Sequence, residues 1–333
     1  MAEAIDSACD FTSNEYTNQG PPQTSLQKRT DTMFDIILNA AEHGDVEAQV
    51  LAAQCFEVGF HVGRDMIKAA KWYRKAAVQG DPLAQLKMAE FLHKGTGVPQ
   101  NFVESAKWLR IAADRGYAAA QYNLGVCYEQ GVGVPQDSKV ANEWFRKAAE
   151  QKHALAQHNL GVSLRFGHGV SADQAESTEW IRTAANAGNA TAQYGMGMLY
   201  EAGEGVPKNT AEAAKWYRLA ADQGLPEAQL NLGVLYHKGD GVPQDMKEAL
   251  MWVRKAAVQG ESQAQYLLGA SYYNGDGVRM DKSEGVKWIA MAAKQGHENA
   301  QAHLLVCQYN GDTVDNGASR SPKRKGKAAK RYN

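Results

Sequence analysis

The sequence predicts an all-α solenoid of about seven full helix–turn–helix repeats of 36 residues, with a capping half-repeat at each end. An Ala-Gln pair recurs at this interval, with its glutamine at every step from Gln49 to Gln301. A glycine-rich turn, GVGVPQD at 131–137, recurs in the same way. The seven tryptophans also keep the interval, and they are Trp72, Trp108, Trp144, Trp180, Trp216, Trp252 and Trp288. A fixed period of this length is the signature of a repeat architecture.

One repeat contains two predicted helices. The apolar residues of 118–130 are four positions apart, so they share one helical face. Those of 138–150 are spaced by three and one positions around Trp144, which is the pattern of an amphipathic helix. Each repeat is therefore predicted to be a first helix, the turn, and a second helix.

The predicted helix ends carry capping residues. The second helix of each full repeat follows an Asp or Asn whose side chain can accept from the first-turn N–H groups. These residues are Asp65, Asn101, Asp137, Asp173, Asn209, Asp245 and Asp281. Five of them have glutamate three residues later, as in a capping box. Glycines from Gly80 to Gly296 follow the second helices, where a left-handed residue is common, and Lys152 breaks this series.

Glycine also recurs inside the first helices, at Gly125 and the equivalent position of four other repeats. A helical glycine costs roughly 1 kcal/mol relative to alanine. We expect the compensating gain to be a close approach of helices beside the recurrent Ala-Ala pair. The tryptophans are expected to fill the adjoining space as structural residues, since truncating a buried aromatic side chain typically costs roughly 3–5 kcal/mol.

The turn GVGVPQD has the composition of a phosphate-binding loop, because a glycine-rich turn ahead of a helix can bind phosphate through backbone N–H groups. It follows a helix rather than a strand, however, and it lacks the lysine of such a loop. It also recurs at the same position of all seven full repeats, although the first has GFHVGRD, with His61 in place of the second glycine. We therefore interpret it as a joint between helices.

The combined pattern A-x-A-Q-x-x-L-G-x-x-Y-x-x-G-x-G-V-x-x-D-x-x-x-A-x-x-W-x-x-x-A-A-x-x-G resembles that of the Sel-one-like repeat (SLR) family, which is related to tetratricopeptide repeats. The resemblance covers about 280 of the 333 residues. It implies an α/α right-handed superhelix with a concave groove lined by the first helices. It also implies a non-enzymatic adaptor that binds a protein or peptide partner. Some SLR proteins carry a disulfide in each repeat, but this chain lacks the paired cysteines.

The repeats divide the chain into three predicted segments. Residues 1–30 are expected to be a disordered N-terminal tail, 31–312 the SLR solenoid, and 313–333 a disordered basic C-terminal tail. Within the solenoid, 33–44 align with a second helix and 299–311 with a first helix. These two half-repeats would cover the ends of the array.

Composition restricts the cellular compartment and the chemistry. The N-terminus lacks the basic and apolar regions of a secretory signal, and no stretch approaches the roughly 18 apolar residues of a membrane helix. The four cysteines form no C-x-x-C pair, and the nine histidines show no ligand spacing. We expect a monomeric cytoplasmic protein with reduced thiols, no metal and no cofactor.

Candidate binding residues lie on the predicted first helices. The position two residues after the Ala-Gln glutamine varies between repeats and holds asparagine three times. An amide can donate and accept at once, which suits a peptide backbone. With nearby positions, this predicts a groove that binds peptide through Tyr122, Asn123, Asn159, Arg165, Tyr194, Asn231 and His237. The alternative is that these side chains only solvate the groove.

The C-terminal segment is strongly basic. The chain has a formal net charge of −1, and residues 316–333 of this segment contribute +7, which leaves −8 on residues 1–315. Its basic residues are Arg320, Lys323, Arg324, Lys325, Lys327, Lys330 and Arg331. The tail could be a solubilising end, a nuclear localisation signal, or an arm for nucleic acid or another polyanion. It could also fold back on the acidic body. Import or polyanion binding would make the protein a nuclear or nucleic-acid-associated adaptor.

Catalytic motifs are missing from the sequence. Some SLR proteins have been linked to β-lactam binding, and β-lactam hydrolases use S-x-x-K together with K-T-G. The S-x-x-K motif occurs here only at Ser25–Lys28, in the predicted tail, and K-T-G does not occur. We expect no enzymatic activity, and a β-lactam-binding hydrolase remains a remote alternative.

An arginine stands two residues after six of the tryptophans, from Arg74 to Arg254. An exposed arginine stripe could bind polyanions. Because carboxylates lie nearby in the sequence and the body is acidic, we expect these arginines to form ion pairs between repeats.

Overall fold

A computed structural model of the chain describes residues 26–312. Within this range there are sixteen α-helices and no strands, which confirms the predicted all-α class. The chain divides into two compact units that adjoin in sequence between Lys208 and Asn209. The first unit holds α1 Leu26–Glu42, α2 Val46–Val58, α3 Met66–Val78, α4 Pro82–Lys94, α5 Phe102–Asp114, α6 Ala118–Gln130, α7 Ser138–Glu150, α8 Ala154–Phe166, α9 Gln174–Asn186 and α10 Ala190–Ala202. The second holds α11 Thr210–Asp222, α12 Pro226–Lys238, α13 Met246–Val258, α14 Ser262–Asn274, α15 Lys282–Lys294 and α16 Glu298–Tyr309.

Each helix packs against the next one along the chain, from α1 to α10 in the first unit and from α11 to α16 in the second. Even-numbered helices are the first helices of the repeats, and odd-numbered helices are the second helices. This stacking of helix pairs confirms the solenoid. Helix α1 begins at Leu26, within the segment 1–30 that the sequence assigns to the N-terminal tail. The GxGV turn that precedes the second helices of the other repeats is missing before α1. The sequence therefore has no signal to begin α1 at the position equivalent to the starts of those helices. Residues 1–25 lie outside the described range.

The predicted caps are confirmed at every second helix from α3 to α15. For example, Asp65 accepts from the N–H of Lys68 at 2.9 Å. The capping-box glutamates, in contrast, make other contacts. The N–H of an N-cap residue such as Asp173 already donates to a carbonyl of the preceding helix, that of Leu164, at 2.9 Å. The Glu176 carboxylate therefore accepts from Trp180 Nε1 at 3.1 Å and from Arg146 of the preceding repeat at 2.6 Å.

The two glycines of the turn have different functions. The first, such as Gly131, ends its helix in the left-handed conformation with φ 70°. The second, such as Gly133, also has a positive φ, 72°, and a Cβ there would lie 2.1 Å from the Phe102 carbonyl oxygen of the preceding second helix. The turn therefore packs directly on the backbone of the neighbouring repeat. Lys152 adopts φ 66° where the other repeats place glycine, so this repeat carries a left-handed lysine.

The helical glycines allow close packing, but against a different partner from the predicted one. A Cβ on Gly125 would lie 2.6 Å from the Phe145 ring and 3.2 Å from the carbonyl oxygen of Ala141. The contact is therefore with the centre of the second helix and not with the Ala-Ala pair near its end. The position of Phe145, directly after the tryptophan, is the innermost one, and Phe145, Tyr73 and Ile289 are fully buried there.

The tryptophans lie between repeats. Trp72, Trp144 and Trp252 are buried, and the other four are half-buried. Trp144 has Arg110 of the preceding repeat 5.2 Å from its ring and Lys147 of its own helix at 4.0 Å. These cation–π contacts join successive repeats.

The arginines confirm the expected ion pairs between repeats at three positions. Arg74 pairs with Glu104 at 2.9 Å, and Arg146 and Arg218 pair in the same way with Glu176 and Glu248. Arg110 and Arg254 instead donate to tyrosine hydroxyls of the next first helix, those of Tyr128 and Tyr272, and Arg182 pairs with Glu179 within its own helix.

The recurrent Ala-Gln glutamine forms a ladder of buried hydrogen bonds. In all eight copies Nε2 donates to the carbonyl of the second alanine of the preceding Ala-Ala pair, as Gln121 does to Ala113 at 3.2 Å. Oε1 also accepts from a glutamine 30 residues later, at the end of the following second helix, in the copies at Gln49, Gln121, Gln229 and Gln265. We call these paired glutamines the glutamine ladder, and they explain why Ala-Gln recurs.

Candidate peptide-binding groove

The predicted binding residues lie on the first helices, at positions turned away from the packing glycines. In the first unit the middle of this surface is formed by α6 and α8. Asn123 and Asn159 occupy equivalent positions there, and both are half-buried. Because the repeat fixes both helices, their amides are held at a fixed spacing.

Tyr122 supports this surface instead of projecting from it. Its side chain is 4% exposed, and its ring stacks on His153 with centroids 4.7 Å apart. Burial raises the pKa of Tyr122, and the nearby Glu129 charge raises it further, while a hydrogen bond with Asn159 opposes the shift. The phenol is therefore neutral.

Three polar atoms on α6 and α8 are buried and have no hydrogen-bond partner among the described residues. They are Oδ1 of Asn123, Oε1 of Gln157 and Nδ1 of His158. Leaving such an atom unpaired typically costs about 1–3 kcal/mol. Burial also lowers the pKa of His158 to about 4, so the ring is neutral at pH 7. Glu129, at the end of α6, has its pKa raised by burial, with His168 opposing the shift.

A charged cluster lies next to this surface, on α2 and α4. Lys87 Nζ contacts Glu57 at 2.9 Å and Glu90 at 3.4 Å. Tyr73 donates from its hydroxyl to the other Glu57 oxygen at 2.5 Å. Although burial opposes it, the two carboxylates hold the pKa of Lys87 above its ordinary value. The lysine charge cancels one of the two carboxylate charges, so the cluster has a net charge of −1.

The remaining predicted residues are more dispersed. Arg165 on α8 forms an ion pair with Glu204, and its guanidinium lies over Phe166 at 5.2 Å. Tyr194 is half-buried on α10. In the second unit, α12 carries half-buried Asn231 and exposed His237. The structure thus brings Tyr122, Asn123 and Asn159 together, while Asn231 and His237 belong to the other unit.

The predicted set of binding residues left out part of this surface. His158 occupies the Tyr122 position of the next repeat, and its departure from tyrosine was a usable signal. The Glu57–Lys87–Glu90 cluster had a weaker signal, because lysine replaces the asparagine of other repeats at position 87. The contact of Glu57 with Lys87 spans 30 residues and could not be read from local spacing.

Several expectations concern residues that lie outside the described range. The basic residues of 313–333 are among them, and so is Ser25 of the S-x-x-K motif. Lys28 falls within α1. Within 26–312, no group of histidine, cysteine and carboxylate side chains could hold a metal ion. No helix of that range is long and apolar enough to cross a membrane.

The three cysteines in the described range are buried free thiols, Cys55, Cys127 and Cys307. Burial raises the pKa of Cys127 to about 11, and it also raises those of the other two. A thiol with a raised pKa is a poor nucleophile at neutral pH. These cysteines are therefore packing residues.

Comparison with solved structures supports the same architecture. The chain is similar to c5321, described as a protective antigen present in uropathogenic Escherichia coli strains displaying an SLR fold, with 33% identity and a TM-score of 0.74. The match covers 84% of this chain and 60% of c5321, so this chain spans about three fifths of that protein's length. It is also similar to a Sel1 repeat protein from Oxalobacter formigenes, with 35% identity and a TM-score of 0.71 over 85% of this chain and 82% of the other.

Among curated protein sequences, none matches this chain. The family model described as Sel1 repeat matches seven consecutive segments, which are 46–81, 82–117, 118–153, 154–189, 190–225, 226–261 and 262–297. These segments coincide with the seven full repeats predicted from the sequence period. The chain therefore belongs to the Sel1 repeat family.

Proposed function

We propose that this protein is a non-enzymatic scaffold that binds an extended segment of a partner protein across α6 and α8 of the first unit. Sel1 repeat proteins are in general protein-interaction scaffolds, and the fold is typically non-catalytic. The observation that carries the assignment is the buried, unpartnered Oδ1 of Asn123, on the same surface as the half-buried Asn159 amide.

A peptide backbone offers what this surface requires. Each residue of an extended chain presents one N–H donor and one C=O acceptor. A partner N–H would donate to Asn123 Oδ1 after a small side-chain rotation, and the amide NH₂ would donate to a partner carbonyl. Asn159, at the equivalent position of the next repeat, would contact the next peptide unit. Because amides read backbone and not side chains, this pair contributes affinity with little sequence preference.

Specificity would come from the flanking charges. Arg165 lies on one side and Glu57, Lys87 and Glu90 on the other. The Glu57–Lys87–Glu90 cluster has an excess of one negative charge, so we expect it to favour a basic residue in the bound segment. At the Arg165 end an acidic residue would compete with Glu204 for the guanidinium.

Peptide selection on the full-length protein tests this function. Peptides enriched from a displayed random library would be measured by calorimetry against wild type and against Asn123→Ala/Asn159→Ala. We expect the double variant to lose at least tenfold in affinity. The matched control is Lys107→Ala/Glu143→Ala, two exposed positions on the second helices α5 and α7, which should bind as wild type does. Equal affinity of the asparagine variant and wild type would refute the proposed surface.

A further inference from the structure

Helix α16 is the first helix of the C-terminal half-repeat. One of its faces is exposed, whereas the equivalent face of the first helices in the inner repeats is buried. In α6 the equivalent leucine, Leu124, is fully buried, because Leu109 of the preceding second helix and Trp144 of the following one enclose it. In α16 Leu304 is half-exposed, and its neighbour Leu305 is 66% exposed. No second helix follows α16 within the described residues.

This open face is a groove between α15 and α16. It has a volume of about 410 Å³, and its lining includes Ala293, Leu304, Leu305 and Gln308. Ala293 is 8% exposed, whereas Ala257 at the same position of the preceding repeat is 1% exposed. Such an apolar end face requires a cover in water.

The 21 residues that follow Asp312 contain repeat positions in register. Val314 lies 36 residues after Val278, and Ala328-Ala329 lie 36 residues after Ala292-Ala293. The Ala-Ala pair of an inner second helix is buried against the first helices on either side. The repeat pattern of the sequence therefore continues past α16 in weakened form.

A second in-register residue supports the same placement. Arg331 occupies the repeat position of Arg115, six repeats earlier. Arg115 Nη1 donates to the carbonyl of Gly80 at 2.6 Å, across 35 residues. The equivalent acceptor for Arg331 is the carbonyl of Gly296, at the end of α15.

The sequence after Asp312 contains residues that favour the start of a helix. Ser321 followed by Pro322 places a good N-cap residue before a proline suited to the first helical position. Lys325 occupies the innermost position, that of Phe145. A lysine there can lay its aliphatic stem along Leu305 while its ammonium reaches water. The replacement of the buried aromatic residue by Lys325 also explains why the larger Leu305 stands where the inner repeats have the packing glycine.

We propose that residues 321–331 pack against α15 and α16 as a degenerate second helix and cover this end face. The sequence-based expectation was instead a disordered basic tail from residue 313. In the docked arrangement Ala328 and Ala329 face α16, and Lys327 and Lys330 stand on the outer side. The basic charges then occupy fixed positions at the C-terminal end of the second unit.

Hydrogen–deuterium exchange of the full-length protein tests the docking. In Ala328→Asp/Ala329→Asp we expect the amides of α16 to exchange at least tenfold faster than in wild type. The control, Lys327→Asp/Lys330→Asp, removes more positive charge but leaves the alanine face intact, and it should exchange as wild type does. Unchanged α16 exchange in the alanine variant would overturn the proposal. So would equal acceleration in the lysine control, which would indicate attraction by charge alone.

A cross-link fixes the register independently. A Cβ at Gly125 would touch Phe145, so the pair Leu305→Cys/Lys325→Cys should form an intramolecular disulfide on mild oxidation, identified by peptide mass. The control pair Leu305→Cys/Lys327→Cys should remain reduced. Formation of an intermolecular disulfide instead would show that a second copy covers this face and would overturn the docking of 321–331.

Discussion

Gln151 at the end of α7 donates from its side-chain Nε2 to Oε1 of Gln121 on α6, 30 residues earlier, at 2.7 Å. The same contact joins Gln79 to Gln49, Gln259 to Gln229 and Gln295 to Gln265. At two repeats the later glutamine is replaced, by Arg115 and by Ala187. In those two repeats the earlier glutamine, Gln85 or Gln157, has a buried Oε1 with no partner in the described range. The ladder is therefore interrupted at two known places.

Restoring the ladder at one interruption should stabilise the protein. Ala187→Gln supplies the missing donor for Gln157 Oε1, and we expect the free energy of unfolding to rise by about 1–2 kcal/mol. Denaturant unfolding with matched slopes measures the change. Ala187→Asn is the control, because its shorter side chain does not reach Gln157. An equal gain in both variants would attribute the effect to helix termination and not to the ladder.

The helical glycines predict a difference between two chemically identical substitutions. Gly125→Ala places a methyl group 2.6 Å from the Phe145 ring, and it should cost about 1–3 kcal/mol despite better helix propensity. At Gly195 the nearest atom to an added Cβ is Ile181 Cγ2 at 3.3 Å. Gly195→Ala should therefore be much less destabilising. If thermal unfolding ranks the two variants in the opposite order, the close packing at Gly125 is not a stabilising contact.

The buried His158 predicts a loss of stability in acid. Its pKa is about 4 in the folded protein, against roughly 6.5 in an unfolded chain. Between these values the unfolded state binds a proton that the folded state does not, so stability falls as the pH drops from 6.5 towards 4. The expected contribution is up to about 3 kcal/mol over that range.

Urea unfolding of wild type and His158→Gln at pH 7 and pH 4.5 isolates this contribution. The variant should lose less stability between the two pH values than wild type does. Parallel losses would show that other groups, such as His153, whose pKa is also lowered by burial, account for the acid sensitivity.

The sequence predicted the repeats and their caps well because those features are local. An N-cap aspartate contacts an N–H three residues away, and the period itself locates each helix. The glutamates three residues after the N-cap were predicted to form capping boxes, and this prediction was wrong for a physical reason. The N-cap N–H of Asp173 already donates to Leu164, nine residues earlier, so Glu176 is available for Trp180 and Arg146.

Apart from the arginine–glutamate pairs, the contacts between repeats could not be predicted from the sequence in the same way. Gln121 and Gln151 are ordinary polar residues until two helices place them together in a buried position. Tyr122 was assigned to the groove because its position varies between repeats, yet stacking on His153 buries its ring. Sequence variation between repeats therefore identified the surface, but it did not distinguish the exposed residues from the buried residues that pack beneath them.

Photo-cross-linking tests the proposed binding surface most directly. A library-selected peptide carrying a benzophenone group at its centre would be bound to the full-length protein, irradiated, and its attachment sites mapped by mass spectrometry. We predict attachment to α6 and α8, with Asn123→Ala/Asn159→Ala reducing the yield at least fivefold. Attachment confined to the second helices, or a yield unaffected by the asparagine substitutions, would contradict the assignment of the first-helix surface as the binding site.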